Sequence, residues 1–427
     1  MRRIVSAVSM RSKRLGILGA LATLPAVAQI TAPPTLNSLY SFAGGSDGAT
    51  PYSEALVIGK CGELYGTTTA GGIDDSGTVF SLTPPTVPLG AWTEAVLYRF
   101  AGGSDGSGPG GVVIGSGGVL YGSTNSGGTS NYGTVYSLTP PAAPGDSWTK
   151  TTLYNFTGVN DGAAPSQLVI GAKGQLYGTA AGYVAGPSYQ GTVFSLTPPE
   201  SSGGSWTETT LHIFTCGDDG CIPYGGVVIG KGGVLYGTTY YGGPSADGTV
   251  FSVAPPTSPG EPWTEAVLHS FTGGSDGYGP YASLVIGSGG VLYGTTQYGG
   301  ASFFGLGTVF SVTPPASAGD PWTHSVLHSF GNADGGTETD ARIVIGPGGA
   351  LCSTTSDGGA SDDGTVFCLK PPASAGDPWT EVVLHSFGGS DGANPVGAVV
   401  IGPGGVFYGT TSEGGASNDG TVYQLTP

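Results

Sequence analysis

The sequence predicts an all-β chain folded as a seven-bladed β-propeller with four antiparallel strands per blade. Three observations lead there: a repeat covering everything after the first 35 residues, four strand-like runs inside each copy, and complementary fragments at the two ends. The leucine of a Leu-aromatic-x-Phe motif marks the copies at Leu39, Leu97, Leu153, Leu211, Leu268, Leu327 and Leu384, with spacings of 58, 56, 58, 57, 59 and 57 residues. Tryptophan keeps the same period at Trp92, Trp148, Trp206, Trp263, Trp322 and Trp379. Such a period means one supersecondary unit stacked on copies of itself, so the 427 residues read as one closed array.

Within a copy, short apolar or alternating runs are separated by Gly, Pro, Ser and Asp, which is the strand signature. In the fifth unit they are SLVIG (283–287), VLYGTT (291–296), GTVFSVTP (307–314) and WTHSVLHSF (322–330), here called strands A, B, C and D. Ser288-Gly289-Gly290 makes a tight A–B hairpin, C–D is a Pro-rich excursion, and D–A is a Gly/Ser/Asp turn ending in proline. Helix is excluded because no segment long enough lacks Gly, Pro or a β-branched run. Strand A, small and apolar, suits a crowded inner ring; strand D, with Trp, Glu and His or Tyr, suits a wetter perimeter. An open β-solenoid is the other architecture considered, and its coils are usually shorter.

The ends argue for closure. Residues 35–42 supply a strand D with no A, B or C before it, and residues 395–427 supply A, B and C with no D after them. Pairing the two fragments removes two sheet edges that would otherwise template aggregation. The blades then span 51–100, 109–156, 165–214, 223–271, 280–330, 338–387 and 395–427 with 35–42, inside a propeller domain of 29–427.

Residues 1–28 read as an export signal: Arg2, Arg3, Arg11, Lys13 and Arg14, then LGILGALATLPAVA, with Ala26-Val27-Ala28 as the cleavage pattern. A membrane anchor fits less well, since the apolar run is short and broken by Pro25. Secretion, the periplasm or the cell surface is the expected location, as a monomer without membrane insertion. Losing the signal takes five of twelve basic residues and no acidic one, leaving seven against twenty-nine, a net charge of −22. Such a surface repels nucleic acid and anionic lipid.

Export permits disulfides. Thr355 opposite Thr365 in an antiparallel pair places Cys352 opposite Cys368, within bridging reach. Cys216 and Cys221 flank a Gly-Asp-Asp-Gly turn and are expected to close a small loop, while Cys61 is left alone.

The run PYGGVVIGKGGVLYGTTYYGGPSADGTVF, Pro223 to Phe251, with its GTT…GG…GTVF core, resembles the Gloeo/Verruco (GloVer) tandem repeat of bacterial exported proteins, over essentially all of residues 36–427. The resemblance implies an exported repeat protein and no particular activity. More loosely, the inner hairpin is similar to those of NHL-type and lactonase-like propellers, which implies fold and not chemistry.

Chemistry is sparse. The D–A turns carry Asp47, Asp105, Asp161, Asp219, Asp276, Asp334 and Asp391, one per blade, with further Asp in the B–C loops on the same face. Calcium is one reading of this ring; Asp-Gly turn chemistry, each carboxylate capping its own backbone, is the other and the simpler. His212, His269, His328 and His385 share one repeat position with Tyr40, Tyr98 and Tyr154 and read as a packing slot, spaced too widely to share a metal; His324 reads as a lone surface residue. No cofactor, metal site or catalytic residue is therefore assigned. Six copies place Pro four residues after the turn Asp, whereas the sixth has TETDARIVIG. That irregularity puts Asp340 and Arg342 at the mouth of the channel, where Glu54 and Gln167 lie in other blades; the four could hold a polar ligand, or Asp340 and Arg342 could simply bridge each other. Two functions follow: a binding or surface-structural propeller for glycans or exported proteins, or a lyase-, lactonase- or hydrolase-type enzyme using the channel mouth.

Overall fold

The runs of the repeat become seven four-stranded antiparallel sheets, each in the order A-B-C-D. The computed structural model describes residues 33–427 apart from 52–55, 88–89, 144, 183–189, 202, 259, 302–304, 318, 332–340 and 375. The segment read as an export signal lies outside the described residues. In blade five the strands are Val285–Ile286, Leu292–Thr296, Thr308–Thr313 and Thr323–Ser329. Strand A is two residues long in six blades, shorter than expected, and eight only in blade two (Ser107–Ile114). The reason is that the residues leading into it bond sideways to the preceding blade. Ser123, Thr179, Thr238 and Thr354, from strand B, donate their hydroxyls to the carbonyls of Ser166, Gly225, Ala282 and Gly397 at 2.8–3.2 Å. This belt holds the inner ring together.

The second Thr of each GTT ties strand B to strand C. Thr68, Thr124, Thr239, Thr296, Thr355 and Thr411 meet Thr78, Thr134, Thr249, Thr308, Thr365 and Thr421 hydroxyl to hydroxyl at 2.8–2.9 Å, all buried. The Gly of the motif is needed by packing: a Cβ on Gly66 would sit 2.6 Å from the Phe80 ring. The expected register places Cys352 opposite Cys368, and the two are joined as a disulfide with Cα atoms 4.0 Å apart. Cys216 and Cys221 are not bridged, contrary to expectation. Backbone bonds close their turn instead, Cys216 N–H to Gly220 O at 3.1 Å and Gly220 N–H to Gly217 O at 3.2 Å, and burial with a hydrogen bond to Cys216 pushes the Cys221 thiol pKa up.

Closure occurs as the ends predict. Thr35–Ser41 pairs with Thr421–Thr426, Thr35 opposite Thr426 and Ser41 opposite Thr421, completing the sheet of Val400–Ile401 and Phe407–Thr411. Phe42 N–H continues the pairing to Gly420 O at 3.0 Å.

Every strand D carries a bulge at the marker leucine. In blade one Val79 faces Tyr98 and Phe80 faces Val96, so Leu97 is the extra residue, and all seven C–D pairs shift register at the same place. An extra residue inverts the side-chain alternation beyond it. Before the bulge, strand D shares the Phe80 face, which looks at the preceding blade; after it, Tyr98 and Phe100 look at the following one. Each seam is thereby filled by an edge-to-face aromatic pair: Phe42–Phe80, Phe100–Tyr136, Phe156–Phe194, Phe214–Phe251, Phe271–Phe310, Phe330–Phe367 and Phe387–Tyr423, centroids 5.0–5.2 Å apart. All fourteen rings are fully buried, and each pair adds about 0.5–1.5 kcal/mol to its area burial.

The bulge also builds a polar cluster in the seams, except between blades six and seven, where the incoming residue is Leu36. The strand-D Tyr or His binds the turn Asp of its own blade, as Tyr98 does Asp105 at 2.8 Å. The third residue of the next blade's Trp-Thr-x run reaches back to that Asp. Lys150 is the clearest case, 2.8 Å from Asp105 and 6% exposed. It thus belongs to the seam between blades one and two. At Glu94, Glu208, Glu265 and Glu381 the visitor is a carboxyl. Burial first, then Asp47, holds Glu94 up to about 7, with Arg99 opposing; burial, then Asp219, does the same to Glu265. Their Oε1 atoms are buried without a hydrogen-bond partner among the described residues.

Two outcomes are expected. Deleting residues 29–42 removes the closing strand and Phe42, whose loss alone is worth about 3–5 kcal/mol; size-exclusion and thermal melts should show aggregation or a large fall in stability, and an unchanged monomer would refute closure. The pH dependence follows from the raised glutamates. A carboxyl whose folded pKa lies above its unfolded value of about 4.5 favours the native state below that pH, and the benefit is lost as pH rises through about 7. The Glu94→Gln/Glu265→Gln protein should match the parent near pH 5 and exceed it at pH 8–9 by about 1–2 kcal/mol per site, a value reduced from the full shift because both groups are partly solvent-screened. Parallel melting curves across that range would remove the interpretation.

Candidate functional site

Of the four channel-mouth candidates, Glu54 and Asp340 lie outside the described residues. Gln167 and Arg342 occupy one repeat position, immediately before the buried Leu168 and Ile343 that lead into strand A. Gln167 is buried, and a Cβ on Gly226 of the next blade would lie 2.6 Å from its carbonyl oxygen. The Arg342 carbonyl accepts from Ser353 Oγ at 3.2 Å. The two residues stand three blades apart on the inner ring and are not neighbours.

The described turn carboxylates are engaged locally. Asp47, Asp105, Asp161, Asp219, Asp276 and Asp391 each accept the backbone N–H three or four residues earlier, at 2.7–3.0 Å. Each also lies beside its strand-D Tyr or His, at 2.8–3.4 Å. This is turn capping of the kind Asp-Gly pairs provide.

One sequence reading is overturned. His324 is neither alone nor on the surface: its side chain is 10% exposed and its ring stacks on His269, centroids 4.0 Å apart and planes at 3°. Both imidazoles face one carboxylate, His269 Nε2 at 3.3 Å from Asp276 Oδ2 and His324 Nδ1 at 3.1 Å from Oδ1. Burial, then His269, pushes His324 down to about 4, against the pull of Asp276. The error was to treat the histidines as points on a perimeter, when the bulge turns consecutive strands D toward each other.

The sequence reading also missed a tyrosine surface on blades four and five. Tyr224 and Tyr281 follow the prolines that begin those blades and stack at 4.8 Å and 29°. Tyr240, just after strand B, meets Tyr224 edge-on at 5.4 Å and Tyr281 at 6.1 Å, and its hydroxyl donates to Gln297 Oε1 at 2.6 Å. Tyr241 extends the group at 4.5 Å from Tyr240 and is 49% exposed. Beyond Gln297, Tyr278 and Tyr298 stack at 5.1 Å and 26°. Tyr224 and Tyr278 are also exposed at their edges. The signal was present as departures from the repeat: where these blades read YYGG and QYGG, others read TAGG, NSGG, SDGG and SEGG.

On the opposite face a cleft of about 420 Å³ lies between the A–B hairpins of the same two blades, lined by Lys231, Tyr236, Ile286, Pro314 and Trp322. Its Tyr236–Trp322 wall recurs at Tyr65–Trp148, Trp92–Tyr408, Tyr121–Trp206, Tyr177–Trp263 and Tyr293–Trp379, so it belongs to the repeat and not to one specialised site.

No curated protein sequence matches the chain. Among solved structures, it is similar to a provisionally assigned 6-phosphogluconolactonase of Bacteroides uniformis, at 14% identity and a TM-score of 0.50, covering 81% of this chain and 88% of that one. It is also similar to the extracellular domain of a provisionally assigned hybrid two-component system of B. thetaiotaomicron, at 12% identity and 0.49, covering 93% of this chain but only 41% of that one. At such identity the first likeness shows the propeller fold alone. The Gloeobacter/Verrucomicrobia repeat model matches residues 19–143, 86–305 and 262–427, and the chain belongs to that repeat family.

Proposed function

We propose that the protein is an exported binding propeller and that the tyrosine surface of blades four and five takes a neutral glycan. The tyrosine cluster is the observation that carries the reading. Tyrosine offers a flat apolar ring for the C–H face of a sugar and a hydroxyl for its polar edge, at low cost in side-chain entropy. Tyr240 and Gln297 are already hydrogen-bonded to each other and so arrive ordered. The net charge of −17 for the whole chain disfavours polyanionic ligands. Fold tolerance is also favourable: the place after the blade-opening proline holds Tyr52, Gly110, Ser166 and Val396 in other blades, so it accepts side chains of very different size, and Tyr224 and Tyr281 occupy it here.

A glycan array followed by calorimetry on the purified mature protein tests this. Tyr224→Ala and Tyr281→Ala should each weaken the strongest hit about tenfold or more, ~1.4 kcal/mol. Arg342→Ala should leave it unchanged. The reverse result, affinity lost with Arg342 and kept without the tyrosines, would move the site to the channel mouth and reject the tyrosine surface.

A further inference from the structure

Among the described residues, one set of three potential ligands converges closely enough to hold a metal: His269, Asp276 and His324, one donor atom of each lying within 4.8 Å of the others. We propose that they form a site for a divalent transition metal of the zinc type, at the seam between blades four and five.

Three observations support it. Two imidazoles and a carboxylate are a ligand set zinc accepts, with water at the remaining position, whereas calcium wants six to eight oxygens. The carboxylate is oriented from behind, since Asp276 Oδ2 accepts the Thr272 N–H at 2.9 Å and its hydroxyl at 3.2 Å. His324 Nε2 is buried and has no hydrogen-bond partner among the described residues, and a ring rotation that presents this nitrogen to the metal would give it a partner.

Some movement is required. Donors around a tetrahedral zinc at about 2.0 Å lie about 3.3 Å apart, and the lone pairs of two parallel rings do not meet at one point. Rotation of the imidazoles out of their stack closes the set, and their walls, Phe271 and Phe310, lie 5.6 and 5.7 Å from the His324 ring.

The repeat supplies variants that keep the fold. The seam between blades one and two uses Tyr98, Asp105 and Lys150 at the same three places, so His269→Tyr with His324→Lys converts one seam into a copy of the other. Untagged mature protein, stripped with chelator, is titrated with zinc chloride by calorimetry, and cobalt(II) loading is followed by its visible absorption. Expected is one equivalent of zinc bound by the parent, weakened at least tenfold in each single variant and absent in the double, with a tetrahedral cobalt spectrum lost in parallel. A parent that binds no zinc, or a folded double variant that binds it as the parent does, overturns the proposal and leaves the histidine pair as a packing contact.

Discussion

The edge-to-face contact between the phenylalanine that ends each strand D and the aromatic residue of the next blade's strand C is the interaction on which the rest depends. A four-stranded blade cannot bury both its faces alone, and here each seam is sealed by two fully buried rings. The contact recurs at all seven seams, including the one formed by Phe42 and Phe80 across the join of the chain's ends. A ring of such contacts is only as good as its last member. The N-terminal strand therefore carries more weight than its seven residues imply.

The leucine bulge is what makes that contact possible. Without the extra residue, the aromatic end of strand D would sit on the same face as its Trp-Thr-Glu beginning, and both would compete for the preceding blade. With it, one strand serves two seams. The consequence is chemical as well as mechanical: at five seams a Tyr or His and a turn Asp from one blade, Asp47, Asp105, Asp161, Asp219 or Asp276, meet a Glu, Lys or His from the next, whereas for Asp391 that position is Leu36. The variety seen there, an ion pair at Lys150, high-pKa carboxyls at Glu94 and Glu265, stacked imidazoles at His324, comes from substitutions into a single conserved-geometry slot.

The architecture was legible because period, strand runs and complementary ends are one-dimensional facts. Blade number, strand order, closure and the Cys352–Cys368 pair all follow from counting and register. What was not legible depends on parity and on neighbours. A bulge cannot be counted from spacing, so His324 reads from the sequence as a surface residue when it lies in a seam. Cys216 and Cys221 have bridge-like spacing, yet backbone bonds satisfy their turn. The tyrosine surface went unread because its members are far apart in sequence, Tyr224 to Tyr298, and only the stacking of blade four on blade five assembles them. In the sequence the sixth copy stands out by losing a proline, whereas the fourth and fifth differ by gaining rings.

A repeat protein solves its folding problem seven times over, and the regular positions are occupied with that. Specialisation must come from the exceptions, and an exception is informative in proportion to how well its siblings define the ordinary state. Tyr224 and Tyr281 stand where blades two, three and seven have Gly, Ser or Val and blade one has Tyr52, Tyr240 and Gln297 replace Thr, Asn, Ala or Ser, and His324 replaces Glu, Lys or Leu. All of these fall on two adjacent blades. The two blades share a seam, so an aromatic surface at its loop end and a His-Asp-His cluster in its outer half are parts of the same interface.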